Sequence, residues 1–306
     1  MSKTNKFSGP GYLKLLSDNK FKDRIKKAYQ LMESCNLCPR NCQVNRLKGE
    51  MGQCQTGKDL IISSYGPHHG EEAPLTGLRG SGTIFFSGCN LNCVFCQNYQ
   101  ISQQVAGRKI SIPELAKIML KLEGQGCHNI NLVTPSHFAY HIIAAVYLAA
   151  KRGLKIPIVY NSSGYDSLTT LKLFDNIIDI YLPDFKYGSD GCGKKYARVK
   201  DYFSKASLAI KTMHKQVGLL QTDKKGIARR GLMIRHLLLP ANLAESEKIF
   251  SYIAREIHPE TYLNIMRQYY PSYQAHKYAE LDTRLSSLEY QEALKKARDL
   301  GLKKIN

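Results

Sequence analysis

The sequence predicts an α/β fold built on parallel strands. From Thr83 onward, apolar runs typical of buried strands alternate with amphipathic helical patterns, and six such strand–helix units follow one another. Two of the runs, IIDIYLPDF and GLMIRHLLLP, are almost continuously apolar, as expected of parallel strands covered on both faces. Consecutive units of this kind form one sheet through right-handed crossovers. The periodicity alone fits an open doubly wound sheet and a barrel equally well.

The order of the elements follows from these patterns. Apolar runs predict six strands, at 83–87, 129–134, 156–161, 177–184, 231–239 and 261–269. Amphipathic spacing predicts helices near 112–124, 137–152, 167–176, 203–217, 243–257 and 287–300. Upstream of these elements, residues 12–34 have the apolar spacing of one further helix. We therefore divide the chain into an N-terminal extension, residues 1–80, and a larger α/β unit, residues 81–306.

A Gly- and Pro-rich segment, residues 60–82, leads into the first predicted strand. Four polar side chains cluster in this segment: His68, His69, Glu71 and Glu72. Such a cluster is able to line a cavity or to transfer protons. A solvated turn is the simpler interpretation, and the composition of the segment favours it.

Composition restricts the class of protein. The 306 residues contain 44 Lys and Arg against 25 Asp and Glu, a net charge of +19 that would attract nucleic acid, an acidic protein or a phosphorylated substrate. The lysines are scattered without an RNA-binding motif, so a solvated basic surface explains them equally well. No apolar run approaches the ~18 residues of a membrane span, and the N-terminus lacks the apolar centre of a signal peptide. We expect a cytoplasmic protein without membrane contact, whose nine cysteines bind metal instead of forming disulfides.

Three cysteines directly follow the first predicted strand. Cys89, Cys93 and Cys96 are spaced C-x3-C-x2-C within SGCNLNCVFCQN. Thiolates suit both zinc and iron–sulfur clusters, and zinc would need a fourth ligand close by, whereas the next candidate, His128, is far along the chain. A four-iron cluster ordinarily takes four thiolates, so three would leave one iron open to another ligand. The spacing therefore favours a 4Fe–4S cluster over a zinc knuckle or unrelated buried thiols.

A second cysteine group lies upstream, in CNLCPRNCQVNRLKGEMGQC. It consists of four thiols within twenty residues: Cys35, Cys38, Cys42 and Cys54. Four thiols beside turn-forming Pro and Gly residues can enclose a tetrahedral zinc ion or hold a second iron–sulfur cluster. The alternative is a loop with free thiols. We predict a separate metal site whose metal the spacing does not identify.

The motifs SGCNLNCVFCQN, YLPDFKYG and IRHLLLP make residues 35–271 resemble the radical S-adenosylmethionine (SAM) superfamily, in the branch related to pyruvate formate-lyase activating enzyme. The resemblance implies a six-unit partial (β/α) TIM-like barrel that is open on one side. It also implies that SAM binds the open iron through its amino and carboxylate groups. One electron from a flavodoxin or ferredoxin would then cleave SAM to a 5′-deoxyadenosyl radical. HHGEEAPLTG, the four upstream cysteines and VTPSH, which stands where the family often has Gly-Gly-Glu, indicate a sub-branch distinct from the activating enzyme itself.

The resemblance also implies a SAM pocket at the C-terminal ends of the strands, where barrels of this kind bind ligands. Asn161 and Ser163, after the third strand, would contact the ribose. Asp184 and Lys186 lie two apart and therefore on the same side of the fourth strand, in the D-x-K element of activating enzymes. Arg235, inside an apolar strand, needs an anion because an unpaired buried charge is costly. The SAM carboxylate is one candidate for that anion.

The resemblance leaves the substrate open, because fold and radical initiation are shared by many reactions. We expect an activating-enzyme-like role on a protein partner, such as a glycyl-radical enzyme. Modification of RNA or of a small molecule is the alternative. A non-catalytic metal-binding scaffold would keep the cysteines but would have no need of Asp184, Lys186 and Arg235 at strand ends. No residue is predicted to be catalytic in its own right.

Overall fold

The computed structural model describes residues 9–306. The strands of this part of the chain are β1 (Leu60–His68), β2 (Ser81–Phe86), β3 (Arg108–Ile110), β4 (Ile130–Val133), β5 (Ile158–Ser162), β6 (Ile180–Pro183), β7 (Gln221–Thr222), β8 (Ala228–Leu237) and β9 (Tyr262–Met266). Its α-helices are α1 (Gly11–Ser17), α2 (Phe21–Gln30), α3 (Ala73–Thr76), α4 (Tyr99–Ser102), α5 (Ile112–Gly124), α6 (Ala139–Lys151), α7 (Leu168–Phe174), α8 (Asp190–Ala197), α9 (Tyr202–Val217), α10 (Ser246–Tyr252) and α11 (Ser287–Asp299). A π-helical turn, Ile253–Ile257, continues α10.

A mostly parallel sheet forms the centre of the molecule. Six parallel strands lie side by side in the order β2, β4, β5, β6, β8 and β9. At one edge β1 pairs antiparallel with β2, and β3 pairs antiparallel with β1. The six strands and six helices predicted downstream of residue 81 are all present, with ends shifted by a few residues. The predicted α/β class is confirmed, and the sheet is consistent with a partial TIM-like barrel.

The strands form where apolar side chains are covered on both faces of the sheet. β5 and β6 are buried along their whole length, and Ile84, Leu132 and Ile234 of neighbouring strands are fully buried. α5 packs against β2 and β4, and α9 packs against β6 and β8. Complete burial of one such side chain stabilises the fold by roughly 1.5–3 kcal/mol. The sheet and its covering helices therefore form a rigid support for the loops that follow the C-terminal ends of the parallel strands.

The prediction of one helix over residues 12–34 is wrong, because the segment contains two helices. α1 ends at Ser17, and Asn19 adopts a left-handed conformation with φ of 56°. The backbone N–H of Lys20 donates to the Leu15 carbonyl at 3.0 Å, and that of Asn19 donates to the Leu16 carbonyl at 3.1 Å. This pair of bonds is the Schellman C-cap, in which asparagine accepts the left-handed position more readily than most residues.

The Gly- and Pro-rich segment at residues 60–82 contains two elements that the sequence did not predict, β1 and α3. Leu60 and Ile62 are buried in the core, and β1 pairs with β2 along most of its length. The short α3 begins at Ala73, with Pro74 in its first turn, where a missing N–H costs little. The segment from His68 to Glu72 is therefore held between two ordered elements beside the sheet.

The N-terminal part of the described chain shares the core of the α/β unit. Tyr12 and Phe21 belong to the same cluster of buried side chains as Ile84 and Leu132. The division of the chain at residue 80 stays a prediction. None of the helices in residues 9–306 combines the length and hydrophobicity needed to cross a bilayer.

Candidate functional site

A cavity of about 570 Å³ opens at the C-terminal ends of the parallel strands, within the ~300–1,000 Å³ typical of sites for small ligands. The predicted cluster cysteines and the predicted SAM-pocket residues all line it: Cys89, Cys93, Cys96, Asn161, Ser163, Asp184, Lys186 and Arg235. A larger groove, of about 710 Å³, lies between α9 and α10 and is lined by aromatic and charged surface side chains. Because the three thiols line the cavity at the strand ends, we take that cavity as the candidate active site.

The cysteine loop begins at a sharp turn after β2. Gly88 has φ of +82°, and a Cβ at this position would lie 2.6 Å from the carbonyl oxygen of Cys54, so only glycine fits. Further along the loop, the Asn90 amide donates to the Tyr165 carbonyl at 2.6 Å, and the Ser163 hydroxyl donates to the Asn90 Oδ1 at 3.1 Å. Sequence reasoning missed Asn90, which fixes the cysteine loop to the end of β5.

The three thiols of the cysteine loop face the same cavity. Cys93 is buried, and Cys89 and Cys96 are half-buried, each facing the cavity. In residues 9–306 no three or more His, Cys, Asp or Glu side chains are placed to hold one metal ion. A four-iron cluster takes one thiolate at each iron, so its ligands need not converge on one point.

Burial shapes the acidity of these thiols. It raises the pKa of the Cys89 thiol, and it raises the pKa of Cys93 to about 11 in spite of the nearby Lys186 ammonium. A neutral buried thiol becomes a thiolate when a metal ion binds it. The donor set therefore suits a metal centre that supplies the positive charge these sulfurs would need.

Asp184 and Lys186 form the predicted ion pair at the end of β6. Lys186 Nζ lies 2.7 Å from Asp184 Oδ2, and about four-fifths of the Lys186 side chain is buried. Burial alone would lower the pKa of Lys186, but the Asp184 carboxylate outweighs burial and holds that pKa above its ordinary value. The cavity wall thus carries a fixed cation and a fixed anion beside the cysteine loop.

Arg235 finds its anion within the protein. Its Nε donates to Glu72 Oε1 at 2.6 Å and its Nη2 donates to Glu72 Oε2 at 2.7 Å, while Nη2 also pairs with Glu71. Asn264 of β9 donates to the same Glu72 carboxylate at 2.8 Å. The SAM carboxylate is therefore not required to neutralise this guanidinium. The assignment of Arg235 to SAM stays a prediction.

The same contacts correct the expectation of a solvated turn at residues 68–72. Glu72 is only 4% exposed, and the cavity is lined by His68, Glu71 and Glu72, whereas His69 is exposed. Burial would raise the pKa of Glu72, but hydrogen bonds from Arg235 outweigh it and lower that pKa. The adjacent acidic pair and the single arginine in an apolar strand were the sequence signals of this contact.

The end of β4 has a strained backbone where the family segment differs. Thr134 lines the cavity with φ of +60°, which is rare for a β-branched residue. Its N–H donates to the Asn161 carbonyl at 2.9 Å. Strain of this kind concentrates at ligand sites.

His236, next to Arg235, is buried as a neutral imidazole. The Phe185 carbonyl accepts from its Nδ1 at 2.7 Å, so Nε2 accepts from the Ser246 hydroxyl at 2.8 Å. Burial lowers the pKa of His236 to about 4. A second proton, on Nε2, would place an unsolvated charge in the core and would require the Ser246 hydroxyl to accept instead of donate.

We expect His236 to make the fold sensitive to acid. Because the pKa is lower in the folded chain than the ~6.5 of an unfolded one, its contribution is complete above pH ~6.5 and is lost as the pH falls toward 4. Between pH 7 and pH 5 this imidazole should account for a loss of roughly 2 kcal/mol in the free energy of unfolding. Urea titrations at both pH values on wild type and His236→Asn, which keeps a donor for Phe185, measure it. Equal losses in both proteins would contradict the assignment.

The four upstream cysteines lie outside this cavity but close to the cysteine loop. Cys35, Cys38 and Cys54 are buried, and Cys42 is half-buried. Burial raises the pKa of Cys38, and the charges of the other three add to the effect. The Cys54 carbonyl lies against Gly88, at the start of the loop that carries Cys89. Cys42 and Cys54 have their sulfurs beside the same glycine, Gly52, and Cys54 adjoins the cysteine loop.

An α/β protein with three thiols and a fixed ion pair at the C-terminal ends of its parallel strands has the features of a cofactor-dependent enzyme. Residues 83–218 match the family described as "Radical SAM superfamily". The uncharacterized protein MJ0674 of Methanocaldococcus jannaschii is 34% identical over 291 residues, which cover 91% of this chain and 78% of that protein. The chain belongs to the radical SAM superfamily. Membership makes it a radical SAM enzyme and implies a 4Fe–4S cluster and SAM as cofactors.

Among solved structures, the chain is similar to one described as "Structure of TYW1 with a lysine-pyruvate adduct bound". The TM-score is 0.43 at 12% sequence identity, with 71% of this chain and 73% of that chain covered. A likeness of this size identifies neither substrate nor reaction.

Proposed function

We propose that the protein cleaves SAM reductively at a 4Fe–4S cluster on Cys89, Cys93 and Cys96 and abstracts hydrogen from a protein partner. The observation that carries the proposal is the single cavity shared by these thiols and the polar rim of the parallel strands. In this proposal the six parallel strands make a six-unit partial barrel. Residues 1–80 are its N-terminal extension, and a cytoplasmic flavodoxin or ferredoxin is the electron donor.

The residues of the cavity would bind and orient SAM. Lys186 offers an ammonium to the SAM carboxylate, and Asp184 accepts from the amino group or the ribose. Asn161 and Ser163, both at least nine-tenths buried, lie one strand away and would reach the ribose hydroxyls. When bound, the cluster would pass one electron from the flavodoxin or ferredoxin to SAM, which would give methionine and a 5′-deoxyadenosyl radical able to take a hydrogen atom from the substrate.

The activating-enzyme-like role rests on the YLPDFKYG and SGCNLNCVFCQN motifs. A glycyl-radical-type protein would present one backbone segment to the open side of the barrel. The charge of +19 supports an acidic partner, and the same charge is the reason to keep RNA as the second candidate. A small molecule would need only the space left beside SAM.

Formation of 5′-deoxyadenosine tests the chemistry directly. Protein reconstituted anaerobically with iron and sulfide, then given dithionite and SAM, is expected to release 5′-deoxyadenosine and methionine, quantified by liquid chromatography and mass spectrometry. Omission of dithionite is the control. A fully loaded protein that releases none would contradict the proposal.

The substrate class is tested by isotope transfer. Extract from deuterated cells is separated into protein, RNA and small-molecule fractions, and each is added to the reduced enzyme with unlabelled SAM. Because the radical takes hydrogen from its substrate, the correct fraction should place deuterium in 5′-deoxyadenosine. Label from the protein fraction supports the activating-enzyme-like role, and label from RNA alone overturns it.

A further inference from the structure

Arg46 is a completely buried cation whose protein partners are neutral. Its guanidinium donates to the carbonyls of Gly57 and His137 and, at 3.0 Å, to the Thr56 hydroxyl. Within residues 9–306 no Asp or Glu carboxylate lies at salt-bridge distance from it, in contrast to Arg235. A buried charge without a counter-charge costs several kcal/mol. The surroundings of Arg46 must therefore supply negative charge in another form.

The sulfur of Cys54 adjoins one of these neutral partners. Thr56 Oγ1 lies 3.1 Å from Cys54 Sγ. Because Arg46 already donates to this oxygen, the hydroxyl hydrogen is free to point at the sulfur. The three groups then form a chain in which guanidinium donates to hydroxyl and hydroxyl donates to sulfur. Such a chain connects the buried guanidinium to the Cys54 sulfur through one polar side chain.

A second sulfur of the group, that of Cys42, accepts a hydrogen bond. Its donor is the backbone N–H of Gln53, at 3.4 Å. A neutral thiol is a weak acceptor. Two of the four sulfurs therefore have a polar partner beside them, and three of the four belong to buried cysteines.

Two of these sulfurs lie beside the same glycine. A Cβ on Gly52 would lie 3.6 Å from both Cys42 Sγ and Cys54 Sγ, which is an ordinary van der Waals distance. The two sulfurs are therefore neighbours in space, although twelve positions separate them in the sequence.

We propose that Cys35, Cys38, Cys42 and Cys54 bind a metal centre as four thiolates, and that Arg46 is its buried counter-charge. A zinc ion and a four-iron cluster are both bound by four thiolates, and either complex keeps a net negative charge for the guanidinium. No three of these side chains are placed to hold a single ion in the described chain. Zinc would therefore require the sulfurs to draw together, whereas a cluster takes one sulfur at each iron.

The site would also support the cysteine loop of the cavity. Besides Cys54, the Thr56 side chain lies against Gly88, at 2.7 Å from the position of its missing Cβ. Arg46 holds the His137 carbonyl, and the His137 ring donates from Nε2 to the Ser87 carbonyl at 2.9 Å. The second centre therefore fixes both sides of the turn that precedes Cys89.

Metal content separates this proposal from the radical chemistry. In the variant Cys89→Ala, Cys93→Ala, Cys96→Ala, isolated without oxygen, we expect either about one zinc per chain without sulfide or iron with matching acid-labile sulfide. Further replacement of Cys38 and Cys42 by alanine should remove that metal. If the first variant binds neither metal, as isolated and after reconstitution with each, the proposal is wrong even if SAM cleavage by the wild type is normal.

The role of Arg46 is tested by competition with a chelator. We expect Arg46→Met to lose metal at roughly ten- to hundredfold lower chelator concentration, because it removes a charge-assisted interaction. Lys48→Met, an exposed lysine in the same turn, is the matched control, and Arg46→Lys should retain metal better than Arg46→Met. If Arg46→Met and Lys48→Met retain metal equally well, Arg46 is not the counter-charge of the metal centre.

Discussion

Replacing Cys93 by alanine is expected to abolish 5′-deoxyadenosine formation while leaving the fold intact. Cys93 is the buried member of the three thiols, and a cluster that has lost one of three ligands cannot keep its open iron in position for SAM. The measurement compares 5′-deoxyadenosine release with iron and sulfide content in the same preparation. Circular dichroism verifies the fold, because the loop is also held by Asn90 and by the backbone of α8.

Cys127 provides the matched control for this substitution. It is equally buried, 3% exposed, and lies in the loop before β4, outside both cysteine groups. Cys127→Ala should therefore cost about 1 kcal/mol of stability and leave 5′-deoxyadenosine formation unchanged. Normal SAM cleavage by Cys93→Ala would show that this loop does not bind the cluster.

The shared cavity could be predicted because it follows from topology. Parallel strands in sequential order bring their C-terminal ends to one edge, so Cys89 after β2, Asn161 in β5 and Lys186 after β6 had to meet once the strands were recognised. The ion pair of Asp184 and Lys186 followed from the two-residue period of a strand. These predictions needed only local patterns and the order of the units.

The partners of Arg235 could not be predicted in this way. Glu72 precedes Arg235 by 163 residues and reaches it only because β1 and α3 fold back beside β2. No periodicity records such a contact, and composition favoured a solvated turn instead. The division of residues 12–34 into two helices was missed for a different reason: the apolar spacing continues across Asn19, and only the left-handed cap interrupts it.

Replacing Arg235 by alanine is expected to lower the free energy of unfolding by roughly 3–5 kcal/mol, the cost of breaking a buried ion pair from one side. Glu72 and Glu71 would be left in the cavity wall with side chains 1% and 7% exposed. Asn264 alone would then have to satisfy the Glu72 carboxylate. Urea unfolding at pH 7, followed by circular dichroism, measures the loss.

The Arg229–Asp223 pair is the matched control for this prediction. Arg229 also donates two bonds to its carboxylate, at 3.1 and 2.7 Å, but both side chains are more than a quarter exposed. Arg229→Ala should therefore cost less than about 1 kcal/mol. Adding Glu72→Gln to Arg235→Ala should recover part of the stability that Arg235→Ala loses, because it removes one of the two unpaired buried carboxylates. If Arg235→Ala costs no more than Arg229→Ala, the carboxylates are solvated in solution and the guanidinium is free to bind the carboxylate of SAM.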